Sequence, residues 1–277
     1  MFSVIAAFLC SFLLAVSSPG VHFPYTAWVA LVPLLYAATK NRPKKAFALG
    51  FLAGIPYYTF LLSWVTISLG TYGYLPWWIS YPALLLLASY MSLYTACFCF
   101  LTSLTKKIDP VWTAPFIWVG LDFLRGFLFT GFPWQDLGYT QYNTPLLIQT
   151  ADLFGHHGVT FLLILVNSFI FSLITRPRLL TLAYSLLIIT AAMSYSYARL
   201  HYFEKEVSFQ QFLSVSIIQP NIAQDTKWFP HTRETAINTL ADLSSQAVAK
   251  QDSDLVVWPE TAIPVLGTET TNYSKIK

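Results

Sequence analysis

The chain has 277 residues, of which 55% are hydrophobic, 17% aromatic and only 10% charged, with a formal net charge of +3 and a mean hydropathy of +0.54. Soluble domains carry roughly 25% charged residues, so this balance excludes an ordinary soluble protein and indicates an integral membrane protein. The basic residues fall in short clusters between apolar stretches rather than along one surface, which argues against nucleic acid as a partner.

A helix needs about 20 apolar residues to cross ~30 Å of hydrocarbon. In chain order the candidate spans are 2–16, 25–39, 46–69, 76–104, 111–130, 158–175 and 179–197. The first two are short, and Pro33 interrupts the second, so either reads as a tilted or a partly re-entrant helix. Segment 2–16 also has the look of a signal-peptide core, with Ala15-Val16-Ser17 as a small-x-small site. No Lys or Arg precedes it, however, and retention is expected. Cys10, Cys97 and Cys99 all lie inside apolar runs and read as small buried hydrophobes, with no disulfide framework or metal set among them.

Orientation follows from the basic loops, because short cytoplasmic connections hold an excess of Lys and Arg. Lys40, Arg42, Lys44 and Lys45 follow the second span, Lys106 and Lys107 the fourth, and Arg176 and Arg178 the sixth. The alternate connections, including the long stretch 131–157, contain no Lys or Arg. An odd number of crossings with the N-terminus inside then places everything after Tyr197 on the periplasmic side.

Beyond Tyr197 the composition changes: Arg199, His201, Glu204, Lys205 and Glu206 arrive together, and a soluble domain is expected over 201–277 after a polytopic membrane domain over 1–200. Its residues 212–219 are β-branched and apolar and are closed by Pro220-Asn221, as a buried strand is. Residues 232–250 place Ile237, Leu240, Leu243 and Ala247 at helical steps, with Thr232 as a cap. Residues 255–258 form a second apolar run ended by Pro259. Strand, helix and strand at this spacing predict a βαβ unit with parallel strands. Two strands and one helix bury too little apolar surface to stand alone, so the α/β domain is expected to be truncated.

Sites on parallel sheets lie at the C-terminal ends of strands, and Glu260 stands there, between Pro259 and Pro264, which stiffen the backbone on both sides. Taken alone, a Glu at that place is more often a turn or cap residue. The string VVWPETAIP, preceded by VSIIQPNIAQDTKW, resembles the opening of the nitrilase-superfamily domain of apolipoprotein N-acyltransferases. DFLRGFLFTGFPWQDLGYTQYN followed by LIQTADLFGHHGVTFLLILVN, and the opening SSPGVHFPYTAWVALVPLL, are similar to the membrane half of that family.

The resemblance implies an αββα-sandwich catalytic domain behind the membrane helices. It implies Glu260 as the general base that deprotonates a cysteine thiol, with a lysine stabilising the oxyanion. Both partners lie further along in the family, and no cysteine follows Cys99 in this chain, which is therefore expected to be inactive alone. The implied substrates are a membrane phospholipid as acyl donor and a diacylglyceryl-modified apolipoprotein as acceptor, with no metal or cofactor, at the bacterial inner membrane. Trp228, Trp258 and Arg125 are supporting candidates: Trp228 falls where the family has an aromatic near the substrate mouth. One alternative is a non-catalytic remnant that binds lipid or a partner, and a second is a related membrane enzyme that uses the same fold on another acyl acceptor or as an amidase.

Two features of the membrane half carry more than one reading. Asp122 and Arg125 lie three apart, the spacing at which helical side chains meet, and Asp122 stands where the family is expected to have glutamate. Charges in hydrocarbon are costly, so Arg125 either pairs to position its helix or holds lipid head groups or the 131–157 loop. The aromatics of that loop, Trp134 and Tyr139 among them, either line a lipid entry or form an interface belt. His156 and His157 have no partner carboxylate or cysteine at ligand spacing, and no metal site is expected.

Overall fold

The computed structural model of the chain describes residues 1–21, 23–207, 212–223, 229–250, 252–260 and 262. The chain divides into two compact units, Met1–Lys205 and Glu206–Lys277.

The first unit is helical. It opens with α1 (Phe2–Ser17), sixteen residues long. The segment expected to cross at 25–39 is not one helix: Pro24–Trp28 forms a 3-10 turn, and α2 (Val32–Lys40) has only nine residues. The backbone groups freed at the break are met by side chains from far along the chain. The Leu31 N–H donates to Asn167 Oδ1 at 2.8 Å, Asn167 Nδ2 donates to the Ala27 carbonyl at 2.8 Å, and Gln141 Nε2 donates to the Pro24 carbonyl at 3.0 Å. An irregular backbone is tolerated at membrane depth only where protein satisfies it in this way.

Helix α3 (Pro43–Leu61) carries Pro at its first position, where the missing N–H costs nothing. After it, α4 (Trp64–Ile67) and a π-turn over Ser68–Tyr72 bend away by 49°. Helix α5 (Trp77–Leu104) returns across the bundle; its 28 residues span about 42 Å. Helices α3 and α5 meet at two glycines one turn apart. A Cβ on Gly50 would lie 2.5 Å from the Thr95 carbonyl oxygen, and one on Gly54 would lie 2.7 Å from Ser92 Oγ. Such small-xxx-small faces let membrane helices approach backbone to backbone.

The segment 111–130 is likewise divided. A 3-10 turn over Pro110–Trp112 leads into α6 (Ala114–Arg125), whose twelve residues span about 18 Å, and a second turn follows at Leu128–Thr130. Short α7 (Pro145–Ile148) precedes α8 (Ala151–Thr175), which is broken at Gly155 by a left-handed backbone, φ +63°. Helix α9 (Leu179–Val207) closes the unit. Among the described residues three helices, α5, α8 and α9, are long and apolar enough to cross a membrane, or four if the bent α3–α4 pair counts as one span. Segments 25–39 and 111–130 are as apolar as expected but do not continue as single helices.

The unit buries polar side chains within its apolar core and exposes many large apolar ones. Ser11, Ser92, Thr95, Thr160, Asn167, Asp122 and Arg125 are buried, while Phe12, Trp77, Trp78, Leu86, Phe116 and Leu187 are exposed. Exposed apolar surface on this scale marks a membrane-facing exterior. Helix α9 is the least buried of the three long apolar helices, held by Tyr184 stacked on Trp112, ring centroids 4.3 Å apart, and by Tyr195 and Arg199, which both donate to Asp152.

In the second unit, β1 (Val215–Ile217) pairs in parallel with β2 (Leu255–Val257), with Val215, Ser216 and Ile217 opposite Leu255, Val256 and Val257. Between them runs α10 (Pro230–Lys250), which buries Ala236, Ile237 and Leu240. The strands are shorter than the apolar runs that contain them.

Candidate functional site

Two places gather chemistry, one in each unit. In the first, α6 ends on Arg125, a cation suited to the C-terminal end of a helix dipole. Its side chain, 3% exposed, is enclosed by acceptors. Asp122 lies at 3.2 Å, one turn back on α6; the Asp136 carboxylate pairs with the same nitrogen; and a second nitrogen donates to Tyr58 Oη at 3.3 Å. The Arg125–Asp136 contact joins the end of α6 to the 131–157 loop within the buried interior.

Asp136 uses its other oxygen for His156 Nε2 at 2.7 Å, so one buried carboxylate joins α6 to the start of α8. The loop around it is tightly constrained. Phe129, Thr130 and Gln135 all adopt positive φ, a conformation costing of order 1–3 kcal/mol for a non-glycine residue. The Gly138 N–H donates to Thr160 Oγ1 at 3.0 Å, and a Cβ at Gly138 would fall 2.6 Å from the His156 carbonyl oxygen. Tyr139 stacks on His156, and Trp134 lies against Trp64 with ring centroids 4.6 Å apart.

Beside this cluster, an apolar groove of about 950 Å³ runs between α6, α8 and α9, lined by Phe116, Phe123, Phe154, Phe161 and Ile188, with His157 and Tyr195 on its wall. Its size is that of a site for a small molecule or an acyl chain.

In the second unit, parallel pairing brings the C-terminal ends of both strands to one edge. There Pro220-Asn221 follows β1 and Trp258-Pro259-Glu260 follows β2. Glu260 is exposed in a turn. Trp258 is half-buried, and its indole N–H donates to Ser244 Oγ at 2.9 Å, fixing the exit of β2 against α10. Trp228 lies outside the described residues.

Sequence spacing did not reveal Asp136, Tyr58, Gln141 or Asn167 as partners in these networks. The only signal for Asp136 was its position in an aromatic loop next to turn-forming Gly138.

Comparison with known proteins gives these features a common setting. Residues 10–169 match the family model described as apolipoprotein N-acyltransferase N-terminal domain. The chain is 40% identical to a Geobacter metallireducens protein named apolipoprotein N-acyltransferase, covering 98% of this chain and 53% of the relative. Proteins of the same name from Haemophilus influenzae and Haemophilus ducreyi are 35% and 31% identical, over 92% and 95% of this chain and 49% and 52% of their own lengths. The chain thus spans about half the length of the curated relatives it matches. Matched from its first helices to the second unit, it belongs to the apolipoprotein N-acyltransferase family.

Proposed function

We propose that the chain is the membrane and early catalytic portion of an enzyme that moves an acyl chain from a phospholipid to the α-amine of a diacylglyceryl-cysteine on an apolipoprotein. The observation that carries this reading is 40% identity over 98% of the chain to a relative with that name. In this account residues 1–200 cross the bacterial inner membrane seven times with the N-terminus cytoplasmic. Residues 201–277 open a periplasmic nitrilase-like domain.

Glu260 is the general base. Its carboxylate takes the proton of a cysteine thiol, the thiolate attacks the ester carbonyl of the phospholipid, and a lysine steadies the oxyanion. Collapse of the tetrahedral intermediate leaves a thioester, and the departing glyceryl oxygen takes a proton as lysophospholipid leaves. The acceptor amine then attacks the thioester, forming the amide and returning the thiol. The cysteine and lysine are proposed to lie in the part of the relatives' length that this chain does not span.

The reading is supported by the standing of Glu260 at the C-terminal end of β2, an exposed position held by the Trp258–Ser244 hydrogen bond. Trp228 is proposed to face the substrate mouth. Arg125 acts as a positioning residue for the 131–157 loop, and the groove between α6, α8 and α9 suits an acyl chain reached laterally from the bilayer.

Trapping the acyl-enzyme tests this. Full-length protein incubated with acyl-labelled phospholipid should acquire hydroxylamine-sensitive label, and Glu260→Gln should acquire none. Equal labelling of the two would remove Glu260 from the role of base.

A further inference from the structure

His156 and His157 stand side by side in α8 just after its break at Gly155, φ +63° and ψ −167°, and their ring centroids lie 4.0 Å apart. The fold then supplies what the sequence spacing lacked. The Asp136 carboxylate, from the loop twenty residues upstream, meets His156 Nε2 at 2.7 Å. One ligand-capable atom from each of Asp136, His156 and His157 lies within 4.8 Å of the others.

A further observation points to a cation there. His157 Nδ1 is buried and makes no hydrogen bond to any described residue, although buried imidazole nitrogens are ordinarily partnered. The Asp136 side chain beside it is itself 1% exposed.

We propose that Asp136, His156 and His157 form a binding site for a divalent transition metal of the zinc class. Two imidazoles and one carboxylate suit zinc rather than magnesium or calcium, which prefer oxygen ligands. Three protein ligands leave a fourth position open. Arg125 on the far oxygen of Asp136 orients the ligating carboxylate, as outer partners of metal ligands do. A bound ion would tie the 131–157 loop to the start of α8.

The test uses the purified full chain without an affinity tag, in detergent micelles, equilibrated with zinc and then dialysed. Metal content by mass spectrometry should reach one zinc per chain, and cobalt in its place should give the visible bands of a tetrahedral site. His157→Ala removes a ligand that makes no hydrogen bond. It should therefore keep the helical circular dichroism while weakening zinc at least about tenfold, since even outer partners of metal ligands are worth 10–100-fold. The double variant His156→Ala with His157→Ala should bind none. Absence of stoichiometric zinc in the wild type, or equal retention by His157→Ala, would overturn the site and leave the His156–Asp136 contact as a hydrogen bond only.

Discussion

Arg125 and Asp136 form an ion pair in which the two side chains are 3% and 1% exposed, and it closes the turn between α6 and the loop that follows. A buried pair is only weakly stabilising against an apolar replacement, but removing one partner strands the other and costs about 3–5 kcal/mol. Asp136→Ala is therefore expected to destabilise the protein by about that amount, read as a shifted unfolding midpoint in micelles titrated with denaturing detergent. A loss below about 1 kcal/mol would show that water or Asp122 already satisfies Arg125.

Asn167 is expected to matter for a different reason. It is fully buried in the middle of α8 and bonds both the Leu31 N–H and the Ala27 carbonyl, where the 25–39 segment leaves the helical path. Asn167→Leu keeps the volume and strands both groups, at about 1–3 kcal/mol for each. Hydrogen exchange at the Leu31 amide should be slow in the wild type and accelerate in the variant.

The contact between α3 and α5 predicts an ordering among glycine substitutions. Gly54→Val and Gly50→Val put side chains into space already held by Ser92 and Thr95 and should lower the yield of folded protein in the membrane. Gly120→Ala meets nothing within 4 Å and should be neutral or slightly stabilising. Monodisperse recovery in detergent separates the two classes. Similar recovery of all variants would mean that the helices do not pack this closely.

The proposed seven-crossing topology can be tested by labelling. Asn143→Cys lies in the Lys- and Arg-free loop, and Lys107→Cys in a basic one, both at exposed positions; Cys10 and Cys99 are buried. A membrane-impermeant maleimide should label position 143 in spheroplasts and position 107 only after permeabilisation. The reverse pattern would invert the orientation.

How far the sequence could be read follows from what each signal measures. The runs that contain α5, α8 and α9 were legible because long uninterrupted apolarity and helix continuity coincide there. At 25–39 and 111–130 they part company. Apolar length says only that a segment can sit in hydrocarbon, whereas Asn167 and Gln141 supply hydrogen bonds that let the backbone stop being helical. The Asp122–Arg125 pair was visible as a three-residue spacing. Asp136 and His156 were not, because their meeting depends on a loop with positive φ at Phe129, Thr130 and Gln135 and on the break at Gly155. The order strand, helix, strand in 212–258 was readable from periodicity, and Pro220 and Pro259 marked the strand exits where Glu260 stands.

The proposed role of Glu260 as general base is tested most directly in cells. In cells depleted of their own N-acyltransferase, expressing the full reading frame that contains these 277 residues, mass spectrometry of a lipoprotein N-terminus should find the triacylated form. Glu260→Gln should leave it diacylated, with the protein still present in the membrane. Triacylation undiminished in Glu260→Gln would contradict the account.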